Sequence, residues 1–133
     1  MHDLGLEAQL ENWLANRIDV LADHGWDLEM LNTQVFCGRD HGGTIDMLCR
    51  LQNDPSAYVI IELKAGEARR DAVAQVLGYM AWLLEQKGVD NVSSIVIGKR
   101  QHSQLRYALR QLDDHVVWIS WMSCRSPLHS ASS

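Results

Sequence analysis

The chain has 133 residues, 47% hydrophobic and 22% charged, with 12 Lys and Arg against 17 Asp and Glu and a net charge of −5. This length and balance fit one domain large enough for a real core, and no apolar run is long enough to span a bilayer. Three cysteines (Cys37, Cys49 and Cys124) without a CxxC pair exclude a disulfide framework and a cysteine zinc site, and an acidic excess excludes gripping a polyanion by bulk charge alone.

The N-terminus, Met1-His2-Asp3-Leu4-Gly5, lacks the basic-then-apolar pattern of a signal peptide, so a cytoplasmic location away from membranes is expected. Residues 6–22 read as an amphipathic helix with Leu10, Leu14, Ile18 and Leu21 on one stripe. Glu7 and Glu11 project from that same stripe one turn apart, where solubility alone does not require them. After the turn at Gly25, residues 33–36 read as a first strand, and Gly38, Gly42 and Gly43 mark a flexible connection.

A second strand over 44–51 and a third over 58–63 flank the turn-rich Asn53-Asp54-Pro55-Ser56, giving an antiparallel hairpin. A long helix follows over 68–86 and stops before Gly88. Then come a strand over 93–97, a helix over 102–112 and a last strand over 116–121. The predicted organisation is one domain over 1–122 and a Ser-rich flexible tail over 123–133. A hairpin followed by a strand–helix–strand crossover predicts an α/β fold with a mixed central sheet flanked by helices.

The chemistry sits where charge interrupts apolar strands. Alternation places Asp46 with Leu48 and Arg50 on one face of its strand, and Ile45, Met47 and Cys49 on the other. On the next strand Glu62 and Lys64 share a face with Ile60, so Asp46 and Glu62 meet across the hairpin with Lys64 beyond. Two carboxylates, the Leu63 carbonyl and water form an oxygen set that suits Mg²⁺ or Mn²⁺. A metal there with a lysine beside it is the equipment of phosphodiester hydrolysis. On the long helix Ala72, Val76, Met80 and Leu83 form the apolar stripe, with Gln75 and Tyr79 four apart at its border.

Asp46, Glu62-Leu63-Lys64 and Gln75-Val76-Leu77-Gly78-Tyr79 resemble, in order, the D…(E/D)xK…QxxxY signature of the PD-(D/E)xK nuclease superfamily. Gly43-Thr44-Ile45-Asp46-Met47-Leu48 and the opening Glu7-Ala8-Gln9-Leu10-Glu11 are similar to its RecB-like and NucS-like branch. The resemblance runs from about Leu6 to Leu84 and implies a restriction-endonuclease-like αβββαβ core, metal dependence and DNA cleavage. It implies Asp46 and Glu62 as ligands of Mg²⁺ or Mn²⁺, Lys64 as catalytic lysine, and Glu11 or Glu7 as a further ligand from the first helix. Gln75 and Tyr79 would orient water or phosphate.

The basic residues Arg39, Arg69, Arg70, Lys99 and Arg100 are the expected DNA contacts, with Arg106 and Arg110 also available. A metal-dependent DNA endonuclease acting in repair, restriction or defence is the leading expectation. A non-catalytic DNA- or protein-binding module, and a nuclease active only as a homodimer or in a larger complex, stand beside it.

Overall fold

The computed structural model describes residues 2–125. In chain order these form α1 (His2–Ala15), a 3₁₀ segment (Ile18–His24), β1 (Leu28–Gly38), a 3₁₀ turn (Arg39–His41), β2 (Gly43–Leu51) and β3 (Asp54–Leu63). They continue with β4 (Glu67–Ala68), α2 (Arg70–Gln86), β5 (Asn91–Gly98), β6 (Arg100–Gln101), α3 (Ser103–Arg110), a 3₁₀ turn (Asp113–His115), β7 (Val116–Ser120) and α4 (Trp121–Arg125).

Five strands make one sheet in the order β1-β2-β3-β5-β7. The β1–β2 and β2–β3 pairs are antiparallel, and β3–β5 and β5–β7 are parallel. The expected mixed α/β sheet flanked by helices is therefore what the chain forms. On one face Ala72, Val76 and Leu83 of α2 and Leu105 of α3 pack against Leu48, Ile60 and Val96. On the other, Leu14 of α1, Leu21 of the 3₁₀ segment and Trp121 and Cys124 of α4 cover Met47, Val59, Ile61 and Ile95. The central strands read as near-continuous apolar runs because both their faces are covered.

Several local expectations need correcting. The first helix does not reach residue 22. Asn16 turns its side-chain amide onto the Asn12 carbonyl at 2.8 Å, and Arg17 leaves the helical region at φ −141°. Asn competes for backbone hydrogen bonds in this way, and the chain re-enters as a tighter 3₁₀ segment. The first strand is far longer than 33–36, because pairing with β2 extends its polar stretch from Leu28 to Gly38. The helix expected from 68 starts at Arg70, since Glu67 and Ala68 pair in parallel with Arg100 and Gln101. The expected tail begins inside a helix: Trp121 and Cys124 of α4 are buried, while residues 126–133 of that tail lie outside the described residues. At the other end of α2 the expectation holds. Gly88 takes φ +65° and the Val89 N–H reaches back to the Leu83 carbonyl at 3.2 Å, a glycine-dependent helix stop.

Candidate active site

The β2–β3 ladder ends at the Met47↔Ile61 pair, and the two strands part just where Asp46 and Glu62 follow. The pleat breaks there too. Ile45 packs toward α2 with Leu48, whereas Met47 faces α1, so Ile45 and Met47 do not share the face that strict alternation assigns them. Opposite this point Gln34 of β1 holds φ +53°, a left-handed conformation costing about 1–2 kcal/mol for a residue with a side chain. The strand opening frees backbone groups that side chains then satisfy. Asp46 Oδ2 accepts from the Leu63 N–H at 2.8 Å, and Glu7 Oε2 from the Ala65 N–H at 3.1 Å.

This opening lies at the carboxyl ends of the parallel strands, the edge where α/β sheets commonly take ligands. A cleft of about 360 Å³ is lined by Glu7, Glu11, Gln34, Asp46 and Leu63. Behind it Glu62 is only 4% exposed. Its Oε2 meets Lys64 Nζ at 3.1 Å, and the same Nζ donates to Gln75 Oε1 at 2.8 Å. Glu62 Oε1 is buried without a hydrogen-bond partner of standard geometry, and the carboxyl group faces Asp46 and the Tyr79 hydroxyl. Lys64 is itself pinned at both backbone groups: its N–H donates to the Ile97 carbonyl at 2.8 Å, and its carbonyl accepts from Trp121 Nε1 at 3.2 Å.

The electrostatics follow from crowding carboxylates away from water. Burial, then the neighbouring Asp46, pushes the Glu62 carboxyl up to about 8, against the pull of the Lys64 ammonium. Burial also raises Asp46 above its ordinary value. The Leu63 N–H opposes that rise, and Glu11 and Glu7 add to it. The Tyr79 phenol is held above its usual range by burial and then by facing Glu62 and Asp46.

The structure thus brings Asp46, Glu62, Lys64 and Gln75 together. Tyr79 joins them differently from expectation: it is 1% exposed and belongs to the core, out of reach of a DNA backbone. Its four-residue spacing from Gln75 is real, but α2 turns that position inward. Glu7 and Glu11 both border the cleft, yet Glu7 is engaged by Ala65 and Glu11 by Gln34. Among the described residues no three His, Cys, Asp or Glu side chains converge closely enough to share an ion. The expected DNA contacts are not one patch. Arg69 and Arg70 share a recess with His102, Lys99 borders a different recess with Leu6 and Trp121, and Arg39 stands on the β1–β2 turn. Sequence reasoning missed Gln34 and Trp121. Gln34 sits in a polar run without periodicity, and Trp121 reaches the site from the far end of the chain.

The residues fit a divalent cation. Lys64 meets only one oxygen of Glu62, which leaves the other oxygen and the neighbouring Asp46 carboxylate as hard oxygen donors that match Mg²⁺ or Mn²⁺. Two carboxylates completed by water and a substrate phosphate is an ordinary Mg²⁺ arrangement.

An αβββαβ domain whose mixed sheet opens an acidic cleft at its carboxyl edge, with a Glu–Lys pair behind it, is the class that fold and site define. The model of the endonuclease NucS C-terminal domain matches residues 6–115, and the chain belongs to that family. Two solved structures share its fold. An EndoMS–dsDNA complex superposes with a TM-score of 0.70 at 22% identity over 87% of this chain and 44% of that one. A repair endonuclease from Pyrococcus abyssi does so with 0.68 at 19% identity over 86% and 46%. The chain therefore spans under half the length of either. No curated protein matches the sequence.

Proposed function

We propose that the chain is the catalytic unit of a divalent-metal-dependent DNA endonuclease of the PD-(D/E)xK superfamily, hydrolysing phosphodiester bonds in a repair, restriction or defence setting. The observation that carries this reading is Glu62: a buried carboxylate with one oxygen on Lys64 and the other without a hydrogen-bond partner of standard geometry, beside Asp46. Asp46 and Glu62 would hold Mg²⁺ or Mn²⁺, with the Leu63 carbonyl and water completing the shell. Bound there, the ion supplies Lewis-acid charge to phosphodiester hydrolysis.

The chain's own groups divide the remaining work. Lys64 has three ammonium donors, of which Glu62 and Gln75 take two, leaving one for a water or a phosphate oxygen. Gln75 fixes the direction of that donor. Tyr79, buried and facing Glu62 and Asp46, walls the carboxylates off on the core side. Glu7 holds the backbone after Lys64 in place, and Glu11, tied to Gln34, keeps negative charge near the mouth of the cleft. Arg39, Arg69, Arg70, Lys99 and Arg100 stand along the same edge of the sheet and would meet DNA phosphates on either side of the cut. A second reading, cleavage only as a homodimer or inside a larger complex, is favoured by the chain covering under half of each similar structure.

The test is a cleavage panel of single-stranded, duplex, flapped and mismatched DNA with Mg²⁺, Mn²⁺ or EDTA. Asp46→Ala and Lys64→Ala are expected to lose cleavage by about 10²–10³-fold while still folding, as circular dichroism at the assay temperature would show. Cutting by both variants at the wild-type rate rules out the site. A wild type that binds DNA but never cuts, alone or as a dimer, identifies a non-catalytic binding module instead.

A further inference from the structure

We propose that the outer face of α3, carrying Arg106, Tyr107 and Arg110, is a second nucleic-acid surface that grips the phosphate backbone of duplex DNA beyond the cleft. The inference rests on the proposed function for its choice of DNA as partner.

In a protein of net charge −5, the stretch from Lys99 to Leu112 carries four basic residues and no acidic one. Its fold explains which of them face outward. Leu105 is fully buried, and Ala108, Leu109 and Leu112 pack against the same core. At about 100° per residue, Arg106, Tyr107 and Arg110 then fall within roughly 100° of arc on the opposite side. All three are exposed, and Tyr107 is 55% exposed, which is unusual for a large aromatic ring. The Arg106 guanidinium lies over that ring, 5.5 Å from its centre, so the two present one flat cationic surface.

Among the described residues no carboxylate forms an ion pair with Arg106 or Arg110. Among them Arg70 and Arg100 likewise have no carboxylate partner, whereas Arg69 pairs with Glu67 at 2.9 Å and Arg50, on β2, with Glu29 at 2.8 Å. Acids stand at both ends of α3: Asp71 borders the recess of Arg69, Arg70, His102 and Gln104, and Asp113 and Asp114 follow in the next 3₁₀ turn, none of them in an ion pair with Arg106 or Arg110. Arg106 and Arg110 are like charges one turn apart, an arrangement that opposes the helix until an anion relieves it. The helix starts directly after β6, at the edge of the sheet that carries Lys64, and its eight residues run about 12 Å away from it. A duplex whose scissile phosphate sat at Lys64 would lay successive phosphates along this face. Arginine suits that role, because its planar fork matches phosphate oxygens.

The test is anisotropy of a labelled duplex bound by the full chain in EDTA over a KCl series, with cleavage in Mn²⁺ followed in parallel for wild type. The Arg106→Gln/Arg110→Gln variant, with an unchanged thermal midpoint, is expected to weaken binding and lower the log K–log salt slope by about 2, while the double Lys variant keeps the slope. An unchanged slope in the Gln variant overturns the proposal, as does a wild type that binds no duplex. Wild type that binds but does not cut overturns the nuclease reading alone, and the slope still decides the role of α3.

Discussion

A carboxyl group as buried as Glu62, with a second carboxylate against it, must either keep its proton or find positive charge. Lys64 supplies charge to one oxygen only, so without a metal the proton is retained up to about pH 8. In the unfolded chain the same group would release it near its ordinary value of 4.5. Between those values the folded state binds more protons than the unfolded one. The stabilising contribution is therefore complete below about pH 4.5 and is lost as pH rises through about 8. The raised Asp46 acts in the same direction. In EDTA, the wild-type thermal midpoint is expected to fall from about pH 5 to about pH 9, and that of Glu62→Gln to fall less, leaving the variant the more stable protein at the alkaline end. Calorimetry across that range checks it. Parallel profiles for the two proteins would show that Glu62 ionises freely in the folded state.

Helix α2 and the β1–β2 turn meet backbone to backbone, and this contact sets the two sides of the site against each other. A Cβ on Gly78 would lie 2.7 Å from the His41 carbonyl oxygen, and one on Gly42 would lie 2.8 Å from that of Gln75. The helix carries Gln75, and the turn leads within a few residues to Asp46. Gly78→Ala is thus expected to cost about 1–3 kcal/mol and to reduce cleavage by displacing Asp46 from Lys64. Gly5→Ala, on an open face of α1, should instead stabilise by up to about 1 kcal/mol. Denaturant titration of both variants separates the two signs. Neither glycine contact could be read from the sequence, since Gly78 shows itself there only as a poor helix former. What was legible follows from local physics: charges inside apolar strands revealed Asp46, Glu62 and Lys64, and helical spacing placed Gln75. Alternation failed at Ile45 because the strand opens there, and the border position of Tyr79 failed because burial depends on how α2 is rolled against the sheet. The break at Asn16 and the pairing of β4 with β6 likewise depend on contacts that periodicity does not encode.

Over the whole molecule, charge is divided. Acidic groups gather at the cleft, while Arg106 and Arg110 stand exposed on α3. A divalent cation bound at the cleft would reduce repulsion between Asp46 and Glu62 and give Glu62 Oε1 a partner. Binding only to the folded state raises stability by about 2.7 kcal/mol when free metal is a hundredfold above its dissociation constant. Such an ion would also have to displace the proton held on Glu62, so its affinity should rise with pH up to about 8 and level off above it. Saturating Mn²⁺ is therefore expected to lift the thermal midpoint by several degrees, more at about pH 8 than at about pH 6, and EDTA should reverse it. Asp46→Asn should lose most of this rise, whereas Asp54→Asn, on the exposed turn at the opposite end of the sheet, should keep it. A rise that is equal in both variants would place the bound ion elsewhere on the acidic surface and leave the buried carboxylate pair without a metal.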